Sequence, residues 1–370
     1  MNQSRPREYL IKAAMLMFSF IIAIALMELM IRTFMPQSDR FVQYDPILGW
    51  RHPANSEGYW RKETAKPVRI RINSHSLRGP EISLEKASNK FRILMLGDSF
   101  TEAFQVEEAE SHSAVLEQLL DRSLPGYSFE VINAGTGAYG TGQELLYFQT
   151  QGKKFMPDLV VLNMCTNDLF DEADRFSGIR PAFHLMNDSL QLQPPAPSSQ
   201  LMLKIRDGLL MKMHLASFFR DRIIMLSSGS RGLIHQLGLA KTGGKSNRKN
   251  YNPQLNTQLV KTLQREADAI RAPLMVFIIP PGEVVHQQEI VASAAAGRDE
   301  KYLLGEFAEI LRQHRIEVVD PLNLFRDRAA AGARLYIDYV GHWTAAGHEL
   351  AAEILHERIA QHFLPAKNSL

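Results

Sequence analysis

A serine, an asparagine and a histidine, each at a junction between predicted elements, set the chemistry this chain is equipped for. Ser99 closes the stretch Ile93-Leu-Met-Leu-Gly-Asp-Ser99. Ile93 to Leu96 are a short apolar run, the pattern of a strand covered on both faces. Gly97 permits a sharp bend, and a helix is expected within the next turn or two. A serine at that point has an exposed hydroxyl and a backbone N–H near a helix start, a position suited to a nucleophile. Taken alone, Gly-Asp-Ser is also ordinary turn chemistry. Asn167, in Thr166-Asn-Asp-Leu169, follows another apolar run. Its amide either aims at the same point in space or caps a turn. His342 stands two residues before Thr344, a natural N-cap. That puts it in the loop before the last helix, from which a histidine reaches a strand-end serine as general base. His348 falls inside that helix and reads as structural. The loop Ala134-Gly-Thr-Gly-Ala-Tyr-Gly-Thr-Gly142 follows a strand but lacks both the Lys-Ser/Thr of a P-loop and the downstream acid of a dinucleotide site. Its expected contribution is a backbone N–H facing Ser99.

These residues need elements to hold them. Apolar runs end at Leu96, Asn133, Cys165, Ile279 and Asp320, and helical spacing fills the intervals, over 113–124, from Gln143, over 255–271 and over 301–314. Strands alternating with helices predict an α/β fold, a doubly wound and mostly parallel five-stranded sheet. Val68-Arg-Ile-Arg-Ile-Asn73 alternates strictly and predicts a half-exposed strand ahead of the sheet. Residues 171–252 are the least regular. They hold a linker-like Pro194-Pro-Ala-Pro-Ser-Ser199, a Leu/Met-rich stretch over 201–226 at helical spacing, and a basic loop over 241–249. They read as an insertion, serving as a lid, a membrane-surface helix or packing on the sheet flank.

The 370 residues carry a net charge of +2, with 45% hydrophobic residues and one cysteine, Cys165. No basic stripe interleaved with aromatics points to nucleic acid, and no Cys/His cluster has zinc spacing. Arg5, Arg7 and Lys12 precede an apolar run that begins at Ala13 and, past Glu28, ends at Ile31. Its length approaches the roughly 17–25 residues of a spanning helix, and the preceding positive charges put the bulk of the chain outside the cytoplasm. No small-x-small cleavage site closes the run, which favours a signal-anchor over a cleaved signal peptide. The expected organisation is an anchor over 1–35, an ordered extension with a short β segment over 36–89, and a catalytic domain over 90–365 carrying the insertion.

Gly97-Asp-Ser99, the glycine loop after Asn133, Thr166-Asn-Asp168 and His342 before the last helix, in that order, resemble the SGNH (GDSL-type) hydrolase family over residues 90–363. Tyr44-Asp-Pro-Ile-Leu-Gly-Trp50 and Asn73-Ser-His-Ser-Leu-Arg-Gly-Pro80 look like its membrane-anchored bacterial branch. The resemblance implies a flavodoxin-like three-layer α/β/α sandwich, with Ser99 as nucleophile and first oxyanion donor, Asn167 as a second donor and His342 as general base. A further backbone donor falls at Gly137 or Ala138. The family carries an aspartate two or three residues before the histidine, where this chain has Val340 and Tyr339; the nearest acid is Asp338, four residues before. Asp338 is therefore the candidate third member, with Asp320 or a Ser–His dyad as alternatives.

The function so implied is an exported esterase at the inner membrane, its catalytic domain periplasmic, acting on O-acyl and above all O-acetyl groups of a surface or secreted glycan or glycolipid. No metal or cofactor is expected, and oligomeric state is left open. An O-acyltransferase using the same residues, a phospholipase and a non-catalytic glycan-binding protein are the alternatives.

Overall fold

The computed structural model describes residues 4–64, 66–123, 126, 128–171, 179–187, 189–195, 213–220, 222–223, 251–286, 298–337 and 341–363. Two compact units result, Met1–Arg40 with Ser199–Gly243, and Phe41–Ser198 with Gly244–Leu370.

In the first unit, one helix runs Ser4–Phe34. Its 27-residue stretch Glu8–Phe34 contains 18 consecutive residues of mean hydropathy 2.4 and is long and apolar enough to cross a membrane, and a signal sequence has the same character. Glu28, the acid that interrupts the apolar run, is well provided with donors. It accepts from the backbone N–H groups of His214 (3.0 Å) and Leu215 (2.7 Å) and from Arg32 (3.0 Å). A carboxylate in an apolar setting persists only with such partners. The linker-like 196–199, most of the Leu/Met-rich stretch and the basic loop 241–249 lie outside the described residues.

The second unit opens with two small antiparallel pairs. Strands β1 (Gln43–Asp45) and β2 (Gly49–Arg51) form one. Asp45 Oδ1 accepts from the N–H groups of Ile47 and Leu48, both at 2.8 Å, and so folds the turn of Tyr44-Asp-Pro-Ile-Leu-Gly-Trp50. Strands β3 (Ser56–Trp60) and β4 (Val68–Ile72) form the other, and β4 alternates buried and exposed as its sequence predicts. Then come β5 (Lys90–Gly97), β6 (Ser128–Gly135), β7 (Leu159–Met164), the antiparallel pair β8 (Ala182–Met186) and β9 (Ser189–Gln193), β10 (Leu274–Ile278) and β11 (Glu317–Val319).

Five of these form the central sheet, in the order β11-β10-β7-β5-β6, every pair parallel. The apolar runs face both ways. Leu94 and Leu96 join a buried cluster with Leu145 and Phe148 of helix Thr141–Thr150, Leu259 of helix Pro253–Asp268 and Phe307 of helix Arg298–Gln313. Ile93 and Met95 join another with Leu116 of helix His112–Ser123 and Leu355 of the terminal helix Ala345–His362. Sheet strands covered on both faces are the reason these segments read as continuous apolar runs. The result is the expected doubly wound α/β/α sandwich. Leu48, Trp50, Leu77 and Ile82, from ahead of the sheet, are buried in the first cluster too. Strand order reverses at β5, so a crevice opens beyond the carboxyl ends of β5 and β7, where such sheets bind their ligands.

Candidate active site

Ser99 and Asn167 stand at those two strand ends. Asp98 caps the single-turn helix Ser99–Glu102, its Oδ1 accepting from Phe100 N–H at 3.0 Å. Ser99, as first residue of the turn, has a backbone N–H with no intrahelical acceptor. The terminal helix is capped by the side chain of Thr344, as predicted, and its capping loop brings His342 over the crevice. His342 Nε2 lies 2.8 Å from Ser99 Oγ, across 243 positions of sequence. Phe100 packs on the imidazole, ring centroids 5.0 Å apart.

The other ring nitrogen decides the tautomer. His342 Nδ1 is 2.6 Å from Glu63 Oε2, in the loop between β3 and β4. A carboxylate only accepts, so Nδ1 carries the proton and Nε2 is left to accept from Ser99. Burial alone would lower the affinity of His342 for a second proton; the hydrogen bond and charge of Glu63, with Asp98 and Glu102 nearby, outweigh it and raise the histidine above its ordinary value. The hydrogen bond from His342 in turn holds Glu63 below the usual carboxylate range, against the opposing effect of its burial. Nothing around Ser99 in the sequence marks Glu63; the missing aspartate ahead of His342 leaves Asp338, another acid or a Ser–His dyad open. Asp338 lies outside the described residues. Asp320 accepts from Leu322 N–H at 3.1 Å, at the start of helix Leu322–Ala330.

The oxyanion side is arranged around Asp98 and Glu102. Asn167 Nδ2 donates to Asp98 Oδ2 at 3.2 Å, and Cys165 Sγ–H reaches the same oxygen at 3.1 Å. An amide nitrogen carries two protons, so this bond sets the direction of the second. Of the pair Gly137 and Ala138, Gly137 N–H is committed to Glu102 Oε1 at 2.8 Å. Ala138 has φ 61, is exposed, and its N–H meets no acceptor among the described residues. Of the two, Ala138 is the one whose N–H is not taken up by Glu102.

Residues from before the sheet clamp this loop. Trp50 Nε1 donates to Gly137 O at 3.0 Å, and Tyr139 Oη donates to Trp50 O at 2.6 Å. Buried His52 donates from Nδ1 to Phe41 O at 2.6 Å, and its Nε2 stands 3.2 Å from Glu102 Oε1. Burial disfavours the imidazolium, but the adjoining Glu102 outweighs it and raises His52 above its ordinary value. Glu102 therefore ties Ser99's helix, the glycine loop and the extension together. His348 is buried as expected, stacked on His112 with their Nδ1 atoms 3.2 Å apart.

The site can hold a carbonyl carbon at Ser99 Oγ and its oxygen among N–H donors. Among the described residues, no His/Cys/Asp/Glu group is arranged to hold a metal ion. Residues 95–350 match the GDSL-like lipase/acylhydrolase family. Among solved structures, the chain is similar to a catalytic mutant of an acetylxylan esterase from Geobacillus stearothermophilus, at 11% identity over 77% of this chain and 100% of that one, TM-score 0.43. It is also similar to an acetyl xylan esterase, at 12% over 73% and 100%, TM-score 0.43. An α/β hydrolase from the metagenome of Lake Arreo, Spain, shows 13% over 75% and 96%, TM-score 0.42. Comparison with curated proteins returns no match.

Proposed function

The chain belongs to the GDSL-like lipase/acylhydrolase family and is an acyl-ester hydrolase of the SGNH type, and on that premise we propose that it is an exported, membrane-anchored serine esterase removing O-acetyl or similarly short acyl groups from a cell-surface or secreted glycan or glycolipid. The observation that carries the reaction is the 2.8 Å contact of Ser99 Oγ with His342 Nε2. Ser99 Oγ attacks the acyl carbonyl while His342 Nε2 takes its proton. The oxyanion is received by the N–H groups of Ser99 and Ala138 and by Asn167 Nδ2. Collapse releases the sugar hydroxyl with the proton from His342. A water, deprotonated by the same nitrogen, then attacks the acyl-enzyme and frees Ser99 and the carboxylic acid. Export and anchoring are supported by the helix Ser4–Phe34 with Arg5, Arg7 and Lys12 at its start.

The full chain in detergent micelles, assayed on p-nitrophenyl esters of increasing acyl length, tests this reading. Hydrolysis that peaks at acetyl and is lost in Ser99→Ala supports it, and acetate release from an acetylated oligosaccharide completes it. A peak at long acyl chains would replace the glycan substrate by a lipid. Acylation of an added oligosaccharide that exceeds hydrolysis would make the enzyme a transferase. Orientation is read by protease added to spheroplasts, which should digest the sandwich and spare the amino-terminal helix.

A further inference from the structure

We propose that Glu63, in the hairpin loop ahead of the sandwich, is the positioning carboxylate of His342, so that the segment before the sheet completes the active site. This deepens the esterase reading and rests on it for the catalytic part alone.

Three observations on separate atoms carry the assignment. Glu63 Oε2 lies 2.6 Å from His342 Nδ1, on the side of the ring opposite Ser99. The loop presents Glu63 from a left-handed backbone, φ 56, a conformation that is strained for a non-glycine residue and persists where surroundings demand it. Buried Gln105, three residues beyond helix Ser99–Glu102, faces the same carboxylate and helps to hold it in the charged form. The ion pair is 47% exposed on the Glu63 side, so its contribution to stability is small and its effect falls on the imidazole. Glu63 keeps the proton on Nδ1 while Nε2 cycles between accepting and returning Ser99's proton, and its charge faces the imidazolium formed at each transfer. Among the described residues, the other charged or titratable groups facing His342 are Asp98, Glu102 and His348, and Lys62 faces Glu63.

Two readouts on the full chain test the assignment. In the first, Glu63→Gln should lower kcat on p-nitrophenyl acetate by on the order of 10²–10⁴-fold, with KM within about threefold, an unchanged melting temperature, and the acid limb of kcat/KM displaced to lower pH. Glu63→Asp should recover a large part of the loss. The second needs no turnover. The ring of His342, followed by NMR in histidine-labelled protein and assigned with His342→Gln, should titrate at lower pH in Glu63→Gln than in the parent. Activity of Glu63→Gln within threefold of the parent, or a His342 midpoint that does not move, overturns the proposal. So does Asp338→Ala if it, rather than Glu63→Gln, moves the midpoint. Should the parent hydrolyse no ester at all, the esterase reading fails on its own, and the NMR midpoint still decides what Glu63 does to His342.

Discussion

At the scale of residues, His342 and Ser99 are at hydrogen-bond distance without substrate, so proton transfer needs no rearrangement of the base. Only neutral His342 accepts that proton. Because its affinity for a second proton is raised, kcat/KM should climb with pH through a midpoint above the ordinary histidine value of about 6.5 and flatten beyond it. A pH–rate profile checks this, and an acid limb below that value would count against it. Asn167 Nδ2 donates to Asp98, and in the proposed reaction the same amide serves the developing oxyanion. Asn167→Ala should therefore lower kcat by about 10²–10³-fold with little change in KM, measured by steady-state kinetics on p-nitrophenyl acetate.

At the scale of elements, the nucleophile helix leans on β6 with no room between them. A Cβ on Gly135 would meet Glu102 N at 2.2 Å and the carbonyl carbon of Thr101 at 2.4 Å. These are backbone atoms, so neither neighbour can swing aside. Gly135→Ala should cost about 1–3 kcal/mol in chemical denaturation and displace Ser99, with a loss of kcat larger than the loss of stability suggests. Trp50→Phe keeps the ring but deprives Gly137 O of its donor, at a cost of about 1–3 kcal/mol and a looser oxyanion loop; calorimetry and kcat read the two parts separately. What was legible in the sequence follows the same division. The three inner sheet strands could be read because β5, β7 and β10 are buried on both faces, and His342 because Thr344 caps the helix behind it. Ser99 and Asn167 could be read as strand ends. Glu63 could not, since its loop meets His342 across 279 positions and no local pattern records that meeting. That Gly137 N–H is taken up by Glu102 was equally closed to inspection, because it turns on where that carboxylate goes.

At the scale of the whole molecule, the residues ahead of the sheet are part of one core. Leu48, Trp50, Leu77 and Ile82 cover the face that holds Leu94 and Leu96. At about 1.5–3 kcal/mol for each large side chain, losing them removes roughly 6–12 kcal/mol, comparable with the whole stability of a domain. A chain begun at Lys90 should be insoluble or unfolded, whereas one begun at Phe41 should keep its cooperative transition; solubility and melting curves distinguish them. The buried pair His112 and His348 adds a dependence on acidity. Burial lowers His112 to about 4, and burial with its neighbour lowers His348 further from its ordinary value. Both are neutral when folded, so the unfolded chain binds more protons once pH drops under about 6.5. The contribution of this pair to the melting temperature should be constant above that pH and be lost progressively toward pH 4, a decline that scanning calorimetry would record and that His112→Asn should blunt. The distance along the chain between Ser99 and His342 also sets a clock. At roughly 5–20 residues per second of synthesis, the 243 positions between them amount to about 10–50 s in which the serine has been made and its base has not. A ribosome-bound chain stalled short of His342 should be inert toward a fluorophosphonate probe, so the enzyme first becomes competent when its last helix emerges.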